Sequence, residues 1–130
     1  MTAQFKVDGT AYNVLIPRDG LKRSGQILDG DNAGRLQTGR MERDIIGTYY
    51  NYTLQIDTKG LSVSDYDALY EVLTAPADYH VVTLPYGQST ITFDAYVSGV
   101  EDTLVMAQDT RTTWGGMTVN FVAMSPKRTP

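Results

Sequence analysis

Residues 49–57 read YYNYTLQID, and residues 63–74 read VSDYDALYEVLT; these two neighbouring stretches decide the fold class. The first alternates apolar and polar side chains, which is the period of two expected of a strand with one buried face. The second repeats apolar side chains at intervals of three and four residues, which is the period of an amphipathic helix. The order predicts a sheet strand followed by a helix that lies on the sheet.

The predicted helix runs from Val63 to about Thr74. Ser62 or Ser64 can cap its start, because each is followed by an acidic residue three positions later. Pro76 ends it, since the residue before a proline disfavours helical backbone. An isolated helix of this length is marginal in water, so burial of its apolar stripe must hold it in place. The stripe consists of Tyr66, Leu69, Tyr70 and Leu73.

Antiparallel strands are predicted on both sides of these two elements. A hairpin joins residues 4–7 to residues 10–16 through Asp8-Gly9, a pair that accepts the positive φ angles of a tight turn. Four more strands follow the helix, over residues 79–84, 90–97, 102–108 and 114–124. We therefore predict a mainly β fold with one helix: an antiparallel β-sandwich or curled sheet flanked by a single α-helix.

The segment from Pro17 to Gly47 shows no sustained period of either two or 3.6, although short runs such as Gln26 to Leu28 can pair as strand fragments. It holds six glycines in thirty-one residues, and connections of this length are usually functional or disordered. We predict an extended loop over residues 17–47 that projects, at least in part, from a single β-sandwich-like domain of residues 1–125. The charged and prolyl residues 126–130 are predicted to be a flexible tail.

Charge is distributed unevenly along the chain. The 11 basic and 15 acidic residues give a net charge of −4, which argues against sequence-specific binding of nucleic acid. Six of the basic residues and five of the acids lie in residues 17–47, so this segment is +1 and the remainder is −5. Identical copies can pair such opposite surfaces head to tail. The alternative is a solvated loop.

Composition and spacing exclude most metal and membrane roles. No cysteine is present, so disulfides and thiolate-ligated metals are excluded. His80 has no partner at metal-ligand spacing, which predicts a structural or surface role. Residues 29–34 look like a calcium loop, but Arg40 stands where the loop needs a bidentate carboxylate. No window approaches the ~20 apolar residues of a membrane-spanning helix.

Catalytic motifs are also missing from the sequence. There is no nucleophile elbow and no phosphate-binding loop. The carboxylate pairs Asp65/Asp67 and Glu101/Asp102 are neighbours in sequence, which does not give the opposed geometry that glycoside hydrolysis requires. We expect no enzymatic activity and no cofactor, and a hydrolase ranks last among the functions considered.

Several short motifs, in their order and spacing, resemble the short tail structural proteins encoded by phages and prophages of Gram-positive bacteria. Together they span most of the chain, from about Leu21 to Met124. They are Gly34-Arg35, Gly39-Arg40-Met41-x-Arg43-Asp44, Tyr52-x-Leu54-x-Ile56, Leu61-Ser62 before the helix that ends at Pro76, Phe93-x-Ala95-Tyr96-Val97, and Trp114-x-Gly116-Met117-x-Val119-x-Phe121.

The resemblance implies a virion component of the tail-tube or distal-tail type. Such a protein self-assembles into a ring or tube, contacts other tail proteins, and is found in the virion tail and, during assembly, in the host cytoplasm. In these families the segment rich in arginine and glycine looks like an arm between subunits. By this resemblance, the residues expected to lie in the arm between subunits are Arg35, Gly39, Arg40 and Arg43.

The predicted interface between subunits lies in this arm. Apolar residues should supply most of the affinity and arginines the register, because exposed ion pairs contribute only ~0–1 kcal/mol each. The predicted interface residues are Arg18, Leu21, Arg23, Ile27, Leu28, Arg35, Leu36, Gly39, Arg40, Met41 and Arg43.

The alternative function is a soluble carbohydrate-binding or adhesion module. Nine tyrosines and one tryptophan on a small β domain can supply stacking platforms for sugars. Against this, periodicity places at least four of the tyrosines on buried faces: Tyr50, Tyr52, Tyr66 and Tyr70.

Overall fold

A computed structural model describes residues 5–16, 18–30, 34–35, 37–56, 61–109 and 111–130. These residues form one helix, a seven-stranded antiparallel sheet and a separate two-stranded ribbon. The elements are β1 (Lys6–Val7), β2 (Thr10–Ala11), β3 (Leu21–Asp29), β4 (Gly34–Arg35), β5 (Met41–Glu42), β6 (Ile45–Ile56), α1 (Val63–Leu73), β7 (His80–Pro85), β8 (Thr90–Gln108) and β9 (Arg111–Ala123). The sheet has the order β2-β1-β7-β8-β9-β6-β3, and β4 pairs with β5 in the ribbon.

The predicted fold class is confirmed: the chain is mainly β, with one antiparallel sheet and one helix among the described residues. The sheet is curled, because the turn after β7 contacts β6 from across the sheet. The Tyr52 hydroxyl donates to the Pro85 carbonyl oxygen at 3.1 Å, and the Tyr50 and Tyr86 rings meet edge to face at 5.2 Å between centroids. The sheet does not close into a barrel, since β2 and β3 remain as its two edges.

The core lies between one face of the sheet and α1. Alternation buries every second residue of the central strands, as the sequence predicted for Tyr52, Leu54 and Ile56. The opposite face of the sheet is exposed or half-buried along the same strands. The other strand residues that share the core are Val7 of β1, Val82 and Leu84 of β7, Ile91, Phe93 and Ala95 of β8, and Met117, Val119, Phe121 and Ala123 of β9.

Helix α1 begins and ends where its sequence predicts. The Ser62 Oγ accepts a hydrogen bond from the Asp65 amide at 3.2 Å, which satisfies one of the free donors of the first turn. Tyr66, Leu69 and Leu73 are buried, and the fourth residue of the stripe is half-buried. The helix is thus held by its apolar stripe, as predicted.

The first hairpin is also confirmed. Asp8 and Gly9 have φ angles of 52° and 85°, as a tight two-residue turn requires. Strand β1 pairs with β2 on one side and with β7 on the other, so the hairpin extends the sheet. The second strand ends at Ala11, earlier than predicted, and residues 1–4 lie outside the described part of the chain.

The prediction of an irregular loop over residues 17–47 is wrong for much of its length. Strand β3 pairs in register with β6, from Leu21 opposite Leu54 to Leu28 opposite Gly47. The alternation of apolar and polar residues is missing here because β3 is an edge strand and most of it is exposed on both faces. Without a buried face, alternation has no reason to appear in the sequence.

The prediction of two separate strands over residues 90–97 and 102–108 is likewise wrong. Strand β8 continues through both ranges as one strand of 19 residues. Its register against β9 shifts at three places, the first between Val97 and Gly99. A bulge of this kind inserts an unpaired residue and interrupts the alternation, so that one strand resembles two in the sequence.

The last residues do not form the loose tail that was predicted. The Thr48 amide donates to the Arg128 carbonyl oxygen at 2.8 Å, and the Lys127 amide donates back to the Thr48 carbonyl oxygen at 2.9 Å. The Lys127 ammonium also donates to the Thr92 carbonyl oxygen at 2.9 Å. The tail crosses Gly47 so closely that an added Cβ would lie 2.5 Å from the Arg128 oxygen.

Candidate functional site

Two long hairpins leave the core in opposite directions. Strand β6 pairs antiparallel with β9 only from Tyr52 opposite Phe121 to Ile56 opposite Met117. The β3–β6 hairpin continues beyond one end of this pairing, and we call its described residues between 24 and 47 the arm. The β8–β9 hairpin continues beyond the other end, and we call its described residues between 103 and 115 the finger. One molecule therefore presents an arm and a finger at opposite ends of its sheet.

The arm carries a set of exposed apolar side chains. The most exposed is Ile27, with 54% of its surface accessible. Apolar groups gathered on a projecting element usually mark a surface that another molecule covers. The exposed apolar residues of the arm are Ile27, Leu28, Met41, Ile45 and Ile46.

The finger carries a second apolar set, which the sequence analysis missed. Val105 is 62% exposed, and its two neighbours in the strand are exposed as well. The signal was present in the sequence, because three consecutive apolar residues cannot all point to one buried face of a strand. The exposed apolar residues of the finger are Leu104, Val105, Met106 and Trp114.

Two of the predicted interface arginines are engaged within the subunit. The Arg43 guanidinium forms a salt bridge with Asp29 inside the arm, with Nη2 3.1 Å from Oδ1. The Arg23 guanidinium lies 5.5 Å from the centroid of the Tyr86 ring and donates to the Tyr86 carbonyl oxygen. Arg23 thus ties the base of the arm to the turn after β7, and Leu21 packs partly buried against the core.

The other predicted interface residues divide by exposure and by place. Ile27, Leu28 and Met41 are exposed on the arm, and the charged residues Arg18 and Arg40 are exposed too. Gly39 adopts a φ of 86° in the turn before Arg40. Arg35 lies in β4, where only its backbone is described, and Leu36 lies outside the described residues.

A cavity of about 230 Å³ separates α1 from the base of the finger. A smaller cavity adjoins it and shares part of its lining, including Trp114. The larger cavity combines three aromatic rings with two carboxylates. Its lining residues are Tyr66, Asp67, Tyr70, Asp102 and Trp114.

A hydrogen bond joins the two walls of this cavity. The Tyr66 hydroxyl on α1 donates to Asp102 Oδ2 on β8 at 3.1 Å. Burial raises the pKa of the Tyr66 phenol well above its ordinary value, and the bond to Asp102 raises it further. The phenol therefore stays protonated, and it holds the Asp102 carboxylate at the edge of the cavity.

The single histidine lies away from the arm and the finger. His80 is buried, with its Nδ1 2.7 Å from Asp8 Oδ2, and the Val81 amide donates to the other oxygen of Asp8 at 3.0 Å. Burial acts to raise the pKa of Asp8, but these hydrogen bonds outweigh it, and the pKa lies below its ordinary value. The predicted structural role of His80 is confirmed, since this pair fastens the first hairpin to β7. The two residues are 72 positions apart, so their contact was invisible in the sequence.

The described residues contain no group of three or more histidine and acidic side chains placed to hold a metal ion, and no helix long and apolar enough to cross a membrane. No protein-family model matches the sequence, and no curated protein matches it significantly.

Proposed function

We propose that this protein is a non-enzymatic structural component of a phage or prophage tail, which assembles with copies of itself into a ring or tube. The observation that carries the proposal is the pair of apolar hairpins at opposite ends of the sheet. Two different surfaces on one subunit give a heterologous contact, which builds rings or open stacks of identical copies. The sequence resemblance to short tail proteins supplies the biological setting, namely the virion tail and, during assembly, the host cytoplasm.

The size of the apolar sets agrees with assembly on a template. Nine large side chains, five on the arm and four on the finger, are about half exposed. Burying the rest of each contributes ~1 kcal/mol, given ~1.5–3 kcal/mol for complete burial. The summed contribution of the nine side chains is comparable with the ~4–15 kcal/mol of free energy that association costs. Isolated subunits should therefore associate weakly, and contacts with other tail proteins should complete the assembly.

The test replaces one apolar residue on each hairpin by uncharged glutamine. Ile27→Gln and Val105→Gln should fold as the wild type does, because both side chains are exposed, and should enter tails in reduced amounts when co-expressed with the neighbouring tail proteins. Tyr96→Gln is the matched control, because Tyr96 is exposed on β8 outside the arm and the finger. Normal incorporation of both hairpin variants, seen by electron microscopy and gel analysis of purified tails, would contradict the proposal.

Deletion of the arm would be a poorer test. Removing residues 23–40 would take most of β3 out of the seven-stranded sheet. Failure to assemble would then report a damaged fold as well as a missing interface. Single exposed side chains separate these two effects.

A specific observation favours the second candidate, a carbohydrate-binding or adhesion module. Tyr70 and Trp114 line the cavity beside α1 together with Asp67 and Asp102, and aromatic faces next to carboxylates are groups that bind sugars. Titration of the protein with soluble cell-wall and host glycans, followed through Trp114 fluorescence, tests this candidate. Saturable binding of one glycan by a protein that does not enter tails would favour it over the tail function.

A further inference from the structure

We infer that the cavity between α1 and the finger binds an arginine guanidinium carried by the arm of a second copy of this chain. The inference rests on the proposed self-assembly and names one contact within it. The donor is Arg40, which is exposed on the arm, whereas Arg43 is paired with Asp29.

The chemistry of the lining suits a planar cation. Two carboxylates, Asp67 and Asp102, face a site walled by aromatic rings, and no basic residue lines the cavity. A guanidinium forms charge-assisted hydrogen bonds with carboxylates and stacks on aromatic faces. Both kinds of contact are available here within one small site.

The size of the cavity favours the end of one side chain over a larger ligand. Its volume of about 230 Å³ lies below the roughly 300–1,000 Å³ of pockets that enclose drug-sized molecules. The adjoining smaller cavity is lined by Thr113, whose Oγ1 is the one buried side-chain oxygen without a hydrogen-bond partner among the described residues. A hydroxyl oxygen can accept a hydrogen bond from a cationic N–H group.

The charge around the cavity favours a basic side chain as its ligand. Helix α1 carries three acidic residues and no basic residue, and Asp102 lines the cavity from β8 beside Glu101; the acids of α1 are Asp65, Asp67 and Glu71. Such a surface attracts a basic side chain and disfavours an acidic one. The arm offers such a side chain in Arg40, which is exposed.

Geometry then requires that the arm belong to another molecule. The arm and the finger extend past opposite ends of the β6–β9 pairing, so a subunit's own arm points away from its cavity. Within the arm, Arg43 already pairs with Asp29, whereas Arg40 is exposed and stands beside the exposed Met41. Each subunit would therefore donate one arginine and accept another.

The only tryptophan of the chain lies in the cavity wall, so its fluorescence reports directly on occupancy. The probe is a capped peptide of residues 37–44, QTGRMERD, added to the full-length protein. We expect a saturable change in Trp114 emission that weakens as salt is raised. The same peptide carrying Arg40→Gln should produce no change.

Three isosteric variants of the protein locate the binding site. Asp67→Asn and Asp102→Asn should weaken peptide binding by about tenfold each, through the loss of one charge-assisted contact. The asparagine in Asp102→Asn keeps an oxygen that can accept the hydrogen bond from the Tyr66 hydroxyl. Glu71→Gln removes the same charge from α1 outside the cavity lining and should bind as the wild type does.

The outcomes separate this inference from the proposed function. An unchanged Trp114 signal, or equal binding by all three variants, would overturn the cation site even if Val105→Gln reduces assembly and so upholds the tail function. A response to N-acetylglucosamine oligomers with none to the peptide would also overturn it. Conversely, peptide binding lost in Asp67→Asn and Asp102→Asn, together with normal assembly of both hairpin variants, would support the cation site and refute the proposed function.

Discussion

Replacing Tyr66 by phenylalanine tests how α1 is held to the base of the finger. Tyr66 is 5% exposed, and its hydroxyl donates to Asp102 Oδ2 at 3.1 Å. Phenylalanine keeps the packing of the ring and removes only this hydrogen bond. The bond joins two elements that are distant in sequence and that form opposite walls of the cavity.

The loss of stability should be modest but measurable. A hydrogen bond to a charged group contributes ~1.5–3 kcal/mol net, and the lower end applies here because water can reach the half-buried Asp102 once the hydroxyl is gone. We expect Tyr66→Phe to unfold with a free energy about 1.5 kcal/mol lower than the wild type at pH 7. Against a total of ~5–15 kcal/mol for a domain, this loss should be clear in a urea titration followed by circular dichroism.

The pH dependence identifies the hydroxyl as the cause. The pKa of Tyr66 is raised in the folded protein, first by burial and then by Asp102. Its contribution to stability is therefore complete below the ordinary tyrosine pKa of about 10 and is lost as the pH rises through the higher value of the folded state. The stability gap between wild type and Tyr66→Phe should narrow above about pH 10. Tyr79→Phe, at an exposed tyrosine, is the control.

Two results would refute this reasoning. Equal stability of Tyr66→Phe and wild type at pH 7 would mean that the bond to Asp102 does not hold the helix. A gap that stays constant from pH 7 to about pH 11 would mean that the buried phenol does not titrate above its ordinary range. In either case the walls of the cavity would be held by packing alone.

Two further predictions concern stability. Leu69→Ala should lower the free energy of unfolding by ~2–5 kcal/mol, because Leu69 is 0% exposed on the core side of α1. Glu71→Ala, on the exposed side of the same helix, is the control and should have little effect. Equal thermal melts of the two variants would contradict the packing of α1 against the core. Gly47→Ala should cost ~1–3 kcal/mol by pushing the C-terminal tail off β6, and Gly87→Ala, where an added Cβ meets nothing within 4 Å, should melt as the wild type does.

The elements that the sequence predicted correctly are those whose determinants are local. Helix α1 was found because its cap at Ser62, its apolar stripe and its terminating Pro76 lie within fifteen residues of one another. Strand β6 was found from Tyr49 to Ile56, and from Tyr52 onwards one of its faces is buried. Its exposed start at Ile45 was missed, since nothing in the subunit covers it.

The contacts that the sequence did not predict depend on partners far apart in the chain. The Asp8–His80 pair, the Arg23–Tyr86 contact and the pairing of the tail with Thr48 each join residues more than sixty positions apart. Pairing between residues so far apart in the sequence produces no periodic pattern in it. The cavity was missed for the same reason, because α1 supplies three of its lining residues, and the distant strands β8 and β9 supply Asp102 and Trp114.

The failure of alternation in the arm and the finger has a physical meaning beyond a missed prediction. A strand shows period two only where one face meets a core and the other meets water. In the finger, Leu104, Val105 and Met106 are consecutive, apolar and exposed, and in the arm Ile45 and Ile46 repeat the pattern. Neither the arm nor the finger packs a whole face on the core of the subunit, so these exposed apolar residues do not serve its folding. Exposed apolar residues of this kind are expected on strands that are covered by another protein molecule. The arm and the finger, where the sequence predicted the structure least well, therefore give the strongest support to the proposed assembly.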